Sequence, residues 1–217
     1  MPNLTLVIGN KAYSSWSLRP WLLMKQAGIE FNEVRLSLYA KDARQTILQH
    51  SPTGKVPVLK DNELNIWDSL AICEYLAEKY PGKQLWPAAV AARAHARAIS
   101  AEMHSGFTEL RTQMPMNVRR EMPARPMSPA LSADLSRVQT IWNQCRQQFG
   151  RDGPFLFGAF CIADAMYAPV VSRLRTYGIE LSSPAAEYAA TVHALPAMQE
   201  WIAGARAETE VNLQYES

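Results

Sequence analysis

The run Leu4-Thr5-Leu6-Val7-Ile8-Gly9-Asn10, and after it Ser14-Ser15-Trp16-Ser17-Leu18-Arg19-Pro20-Trp21-Leu22, decides the architecture. A short apolar run ended by Gly-Asn suits a buried strand. Hydroxyl residues ahead of Leu18, Trp21, Leu22 and Met24, with Gly28 behind, mark the two ends of a helix. Pro20 reads into the first turn of that helix, where a missing N–H costs little. Outward from there, Phe31, Val34 and Leu36 give a second strand, and Asp42 to Gln49 a short helix. Val56-Pro57-Val58-Leu59 and Leu64-Asn65-Ile66 pair as a hairpin across Asp61-Asn62. A further helix runs from Asp68-Ser69 to Tyr80, with Leu70, Cys73, Leu76 and Ala77 on one face. The order is β-α-β-α-β-β-α.

That order describes a small α/β unit of the thioredoxin type over residues 1–80. After Tyr80 the pattern changes. Pro81-Gly82 and Pro87 punctuate a linker at 81–87, and residues 88–217 read as an all-helical domain. Ala88 to Arg111 is rich in good helix formers, whereas Met114 to Pro129 carries four prolines and reads as a loop or broken helix. Leu131 to Phe149 is amphipathic, and Ile162 to Tyr177 is less polar, which marks it as the central helix. Pro184 and Pro196 open two short terminal helices. The expected fold class is therefore α/β followed by all-α.

Composition excludes several functions. The chain has 217 residues, 48% of them hydrophobic, and its 22 Lys+Arg balance 20 Asp+Glu for a net charge of +2. Neither half of the chain is a basic module, so the electrostatic footprint of a nucleic-acid binder is missing. No uncharged run approaches the ~18 apolar residues of a membrane span. The three cysteines, Cys73, Cys145 and Cys161, are widely spaced, which fits neither a disulfide framework nor a zinc site. The expectation is a cytoplasmic protein with no metal, no membrane association and no nucleic-acid partner.

Three features of the first unit converge on one chemistry. Ser14 and Ser15 stand where a helix begins, and a helix N-terminus offers free N–H groups and the positive end of a dipole to an anion. A free thiol titrates near ~8.5. Ionising one at neutral pH needs about 2.7 kcal/mol, within reach of a dipole and one hydroxyl hydrogen bond at ~1–3 kcal/mol each. The same serines serve equally well as simple N-caps. Second, Lys55-Val56-Pro57 precedes an apolar strand. A cis bond there exposes the Val56 backbone for pairing with an extended peptide, although X-Pro bonds are more often trans. Third, the helix start at Asp68-Ser69 suits both charges of an amino-acid head group, or again an ordinary cap.

Together these residues resemble the glutathione S-transferase family, its glutathione-binding domain over the first eighty residues and its helical domain over the rest. Ser14-Ser15-Trp16-Ser17-Leu18-Arg19 is similar to the serine loop of the zeta class, which has cysteine where Trp16 stands. Lys55-Val56-Pro57 resembles the family's cis-proline turn, Asp68-Ser69 its γ-glutamyl clamp, and Gly158-Ala159-Phe160-Cys161-Ile162-Ala163-Asp164 its buried capping box. The resemblance implies glutathione as co-substrate. It gives Ser14 the role of thiolate-stabilising hydroxyl, with Ser15 adjacent or in its place. It gives Val56 a backbone pairing with the cysteinyl unit, Asp68 and Ser69 the γ-glutamyl charges, and Lys55 or Lys41 the glycyl carboxylate. It also implies a homodimer built along Asp68 to Tyr80 and the first helices of the second domain.

For the electrophile, the resemblance points between the domains, to Trp16, His104, Phe107, Arg111 and Met114, with His104, Phe107 and Arg111 at helical spacing. These fit packing between the domains equally well. The expected function is transfer of glutathione to a hydrophobic small-molecule electrophile. A glutathione-dependent isomerase, dehalogenase or peroxidase, and a non-catalytic binding protein, share the same motifs. No cysteine stands in the active-site loop, which disfavours thiol-disulfide exchange.

Overall fold

The computed structural model describes residues 3–123 and 126–216. Strands β1 (Leu4–Ile8), β2 (Asn32–Arg35), β3 (Val58–Asp61) and β4 (Leu64–Trp67) form one sheet in the order β2-β1-β3-β4. β1 and β2 are parallel, joined through helix α1 (Ser15–Gln26), while β3 lies antiparallel to both β1 and β4. Helix α2 (Ala43–Leu48) and helix α3 (Ser69–Lys79) complete the unit. The β-α-β-α-β-β-α order expected of a thioredoxin-like domain is therefore observed. Leu6, Val7 and Ile8 are fully buried, as a short apolar run between two covering layers requires.

Helices occupy the remainder: α4 (Val90–Ser105), α5 (Thr108–Gln113), α6 (Pro129–Phe149), α7 (Ile162–Thr176), α8 (Ala185–Ala194) and α9 (Pro196–Ala207). As its low polarity implied, α7 is the axis of this domain, with fourteen of its fifteen residues buried. It packs against α1 across the domain boundary, so the helix that opens at Ser15 is braced by the core of the second domain. A capping box starts α7. The Cys161 side chain accepts from the Asp164 N–H, and Asp164 accepts from the Cys161 N–H at 2.9 Å and the Leu156 N–H at 3.1 Å.

Three local expectations are corrected. Pro20 lies inside α1 rather than in its first turn, because the helix begins at Ser15 and runs on to Gln26. β3 begins at Val58, since Pro57 has no N–H to give the ladder, and Val58 pairs with Val7 and Trp67. The helix expected over Ala88 to Arg111 breaks into α4 and α5. Gly106 ends α4, and Phe107 turns the chain with φ of 55°. A Cβ on Gly106 would stand 2.8 Å from the Glu102 carbonyl oxygen. Asp134 of α6 accepts from the Leu110 N–H of α5 at 3.0 Å, a cap supplied from across the fold.

Beyond α9 the chain returns across the first domain. The Glu208 carboxylate accepts from the backbone N–H groups of Lys11 and Ala12 at 2.6 and 3.0 Å. The Tyr13 hydroxyl donates to Glu216 at 2.5 Å and accepts from Arg119 and from the Asn212 N–H. These bonds clamp the loop that delivers Ser14. Among the described residues, no helix is long and apolar enough to cross a membrane.

Candidate active site

A cleft of about 860 Å³ opens where the two domains meet. Ser14, Ser15 and Trp16 form one wall, Lys55, Val56 and Pro57 a second, and Asp68 and Ser69 a third; Arg111 and Arg173 close it from the helical domain. Three sequence-distant motifs thus face one volume. The Val56–Pro57 bond is cis.

Ser14 stands at the N-cap of α1, yet its side chain makes no cap hydrogen bond. It donates instead to the Ser17 hydroxyl at 2.8 Å. Both Ser14 and Ser15 are 7% exposed. Ser15 accepts from the Arg173 guanidinium at 3.3 Å, and Arg173 also donates to the Met114 carbonyl at 2.7 Å. The Ser15 N–H donates to the Tyr13 carbonyl at 3.0 Å and the Leu18 N–H to that of Ser14 at 3.2 Å. Among the described residues the Trp16 and Ser17 amides of this first turn have no such partner, and with the helix dipole they stand beside the two hydroxyls.

Asp68 sits at a positive φ of 76° and divides its carboxylate between two tasks. Oδ1 accepts from the Leu70 and Ala71 N–H groups at 2.9 and 3.1 Å, capping α3. Oδ2 lies 3.1 Å from His104 Nε2. Burial holds the His104 imidazole below its usual range, with Arg19 and Arg111 adding to the effect and Asp68 opposing it. A neutral His104 donating through Nε2 fits, with Nδ1 buried and unpartnered.

Trp16 is ringed by cationic and aromatic groups. The Arg19 guanidinium lies 4.3 Å and that of Arg111 5.7 Å from its ring centroid, and His104 meets it edge-on at 5.1 Å. Arg19 and Arg173 are almost wholly buried, and burial pulls them down to about 9 and about 10 respectively. Among the described residues, no carboxylate pairs with Arg19, Arg111 or Arg173; Arg19 reaches Ser69 Oγ at 3.3 Å, and Arg111 the His104 carbonyl at 3.2 Å. Arg111 of α5 and Arg173 of α7 therefore bring positive charge to the cleft, with Arg19 of α1 buried against Trp16 and Ser69.

The remaining expected site residues are more scattered. Lys41 is exposed in the turn before α2, outside the cleft lining. Phe107 and Met114 are buried in the core, and Met114 touches the site through its carbonyl on Arg173. His104 and Phe107 do not share a helical face with Arg111, because the Gly106–Phe107 break intervenes. Tyr13, Tyr39, Arg173, Tyr215 and Met116 are among the lining residues that were missed. Arg173 carried a signal, an arginine within the helix read as central to its domain. Tyr13 and Tyr215, stacked edge-on at 5.6 Å, meet only through the returning tail. Cys73, Cys145 and Cys161 are all buried outside the cleft lining, and burial pushes each thiol up. Among the described residues, no cluster of three metal-ligating side chains occurs.

The chain is thus a thioredoxin-like unit and a helical domain, with a cleft between them lined by two serines at a helix mouth. The glutathione S-transferase N-terminal domain matches residues 13–79 and the C-terminal domain residues 128–204, and the chain belongs to that family of glutathione-dependent enzymes. It is 24% identical to glutathione S-transferase omega-2 of Mus musculus over 97% of this chain and 79% of that one. It is 38% identical over 96 residues to a probable maleylacetoacetate isomerase of Caenorhabditis elegans, a stretch covering 44% of either chain. A glutathione transferase homolog from Burkholderia, solved with bound glutathione, superposes with a TM-score of 0.69 at 25% identity, over 94% of this chain and 99% of that one.

Proposed function

We propose that this enzyme binds reduced glutathione in the interdomain cleft, holds its sulfur as a thiolate against Ser14, and directs it at an electrophile that carries an anionic group. The convergence of Ser14, Val56-Pro57 and Asp68-Ser69 on one cleft carries the first part. Ser14 supplies a hydroxyl, α1 its dipole, and Ser15 a second hydroxyl held by Arg173. Val56 offers backbone groups to the tripeptide, while Asp68 and Ser69 take the γ-glutamyl charges and Lys55 the glycyl carboxylate. The glutathione bound to the Burkholderia homolog supports that ligand.

Arg111 and Arg173 carry the second part. Among the described residues they have no carboxylate partner, and they lie beside Trp16 and Met116, so a substrate with an apolar body and an acidic group satisfies both surfaces. This charge also favours a second reading, a glutathione-dependent isomerase acting on an acidic substrate, which shares the thiolate and differs only in the fate of the adduct. Truncating Arg111 to alanine is expected to lower kcat/KM for a carboxylate-bearing electrophile about 10- to 100-fold, the worth of one charge-assisted hydrogen bond. Turnover of a neutral activated aryl halide is expected to stay within about twofold. Equal losses on the two electrophiles would remove the anionic-substrate reading.

A homodimer is part of the same proposal. β4 exposes Leu64 and Trp67 at 56% and 46% beside α3, apolar surface that a second copy covers. Sedimentation at micromolar concentration checks this, and a monomer there refutes it.

A further inference from the structure

Ser17 is fully buried, does not line the cleft, and stands between the end of β1 and Ser14. Its oxygen accepts twice, from the Gly9 N–H at 3.1 Å and from the Ser14 hydroxyl at 2.8 Å. A serine has two lone pairs and one proton. Both lone pairs are occupied here, and among the described residues nothing accepts the proton. A buried hydroxyl left half-satisfied in this way lacks one arrangement that would complete it.

We propose that Ser17 is a positioning residue that completes a hydroxyl relay when an anion stands at the mouth of α1. Ser14 turns its proton to the anion, and its oxygen then accepts the proton of Ser17. The chain runs Gly9 N–H to Ser17 O–H to Ser14 O–H to sulfur, with each hydroxyl accepting once and donating once. No proton changes owner; only the direction of the Ser14–Ser17 bond reverses. Accepting a hydrogen bond makes a hydroxyl a stronger donor, so the relay strengthens the contact Ser14 makes with the anion. The relay is anchored on the sheet. Gly9 follows β1, and a Cβ there would stand 2.6 Å from the Leu38 side chain, so this amide is set into close packing. The inference rests on the reading of Ser14 as the donor to the glutathione sulfur.

The test titrates the thiol of bound glutathione through the ultraviolet absorption of the thiolate, in the full-length protein. Ser17→Ala is expected to raise that pKa by about 0.5 to 1, leaving roughly three- to tenfold less thiolate at a fixed pH below it. The pH profile of kcat should move by the same amount, with KM for glutathione changed less than twofold. Ser17→Thr, which keeps the hydroxyl, should restore the wild-type value. If the alanine variant does not fold, Ser17→Cys, a weak donor of similar size, should move the pKa in the same direction. In a Ser14→Ala background, Ser17→Ala should add nothing. A thiol pKa unmoved in Ser17→Ala or Ser17→Cys, while Ser14→Ala raises it, overturns the relay alone. A thiol pKa unmoved in Ser14→Ala overturns the underlying reading of Ser14 instead.

Discussion

Replacing Ser14 by alanine is expected to lower kcat about 10- to 100-fold, with the fold intact and KM for glutathione raised less than threefold. The size follows from one hydrogen bond to a charged partner, ~1.5–3 kcal/mol, present when the sulfur is an anion and largely absent when it is a thiol. The fold survives because the Ser14 side chain caps nothing; among the described residues its one side-chain hydrogen-bond partner is Ser17. Affinity is expected to change little, because the proposed binding mode leaves the rest of the tripeptide to Val56, Asp68, Ser69 and Lys55. Ser15→Ala should cost less, since Ser14 and not Ser15 is the proposed first donor to the sulfur. Steady-state kinetics with an activated aryl halide read both variants. A Ser14→Ala enzyme that turns over like the wild type would refute the assignment.

Asp164→Ala is expected to cost roughly 3–5 kcal/mol of stability. The carboxylate is wholly buried and accepts from Leu156 and Cys161, so its removal orphans two backbone N–H groups at ~1–3 kcal/mol each. Its pKa is pushed up from 3.8 to about 6, chiefly by burial, against the pull of those two amides. The sign follows from the folded chain holding this proton more tightly than the unfolded one. The contribution of that proton is complete below 3.8 and lost as the pH rises through about 6. The stability gap between wild type and variant should therefore be wider below this window than above it. Denaturant melts across the window measure it, and a variant as stable as the wild type would contradict the role given to Asp164.

Local order was legible because it is written in local periods and stops. The apolar run Leu4 to Ile8, the glycine at Gly28 and the prolines at Pro184 and Pro196 each act on the residues beside them. The motifs Ser14-Ser15, Val56-Pro57 and Asp68-Ser69 were legible for the same reason, and the fold brought them to one cleft. What stayed hidden depends on distant partners. The break at Gly106–Phe107 is completed by Asp134 from α6, and the clamp on Tyr13 by Glu216, some two hundred residues away. Nothing in a helical period says that Arg173 reaches Ser15 across the domain boundary. The serine spacing within α1 likewise hides that Ser14 gives its proton to Ser17 and leaves the helix uncapped.

The most direct measurement is a crystal structure of this enzyme with reduced glutathione. The sulfur is expected within hydrogen-bond distance of the Ser14 hydroxyl, at the first turn of α1, with the γ-glutamyl end on Asp68 and Ser69. A sulfur found out of reach of both Ser14 and Ser15 would contradict the account.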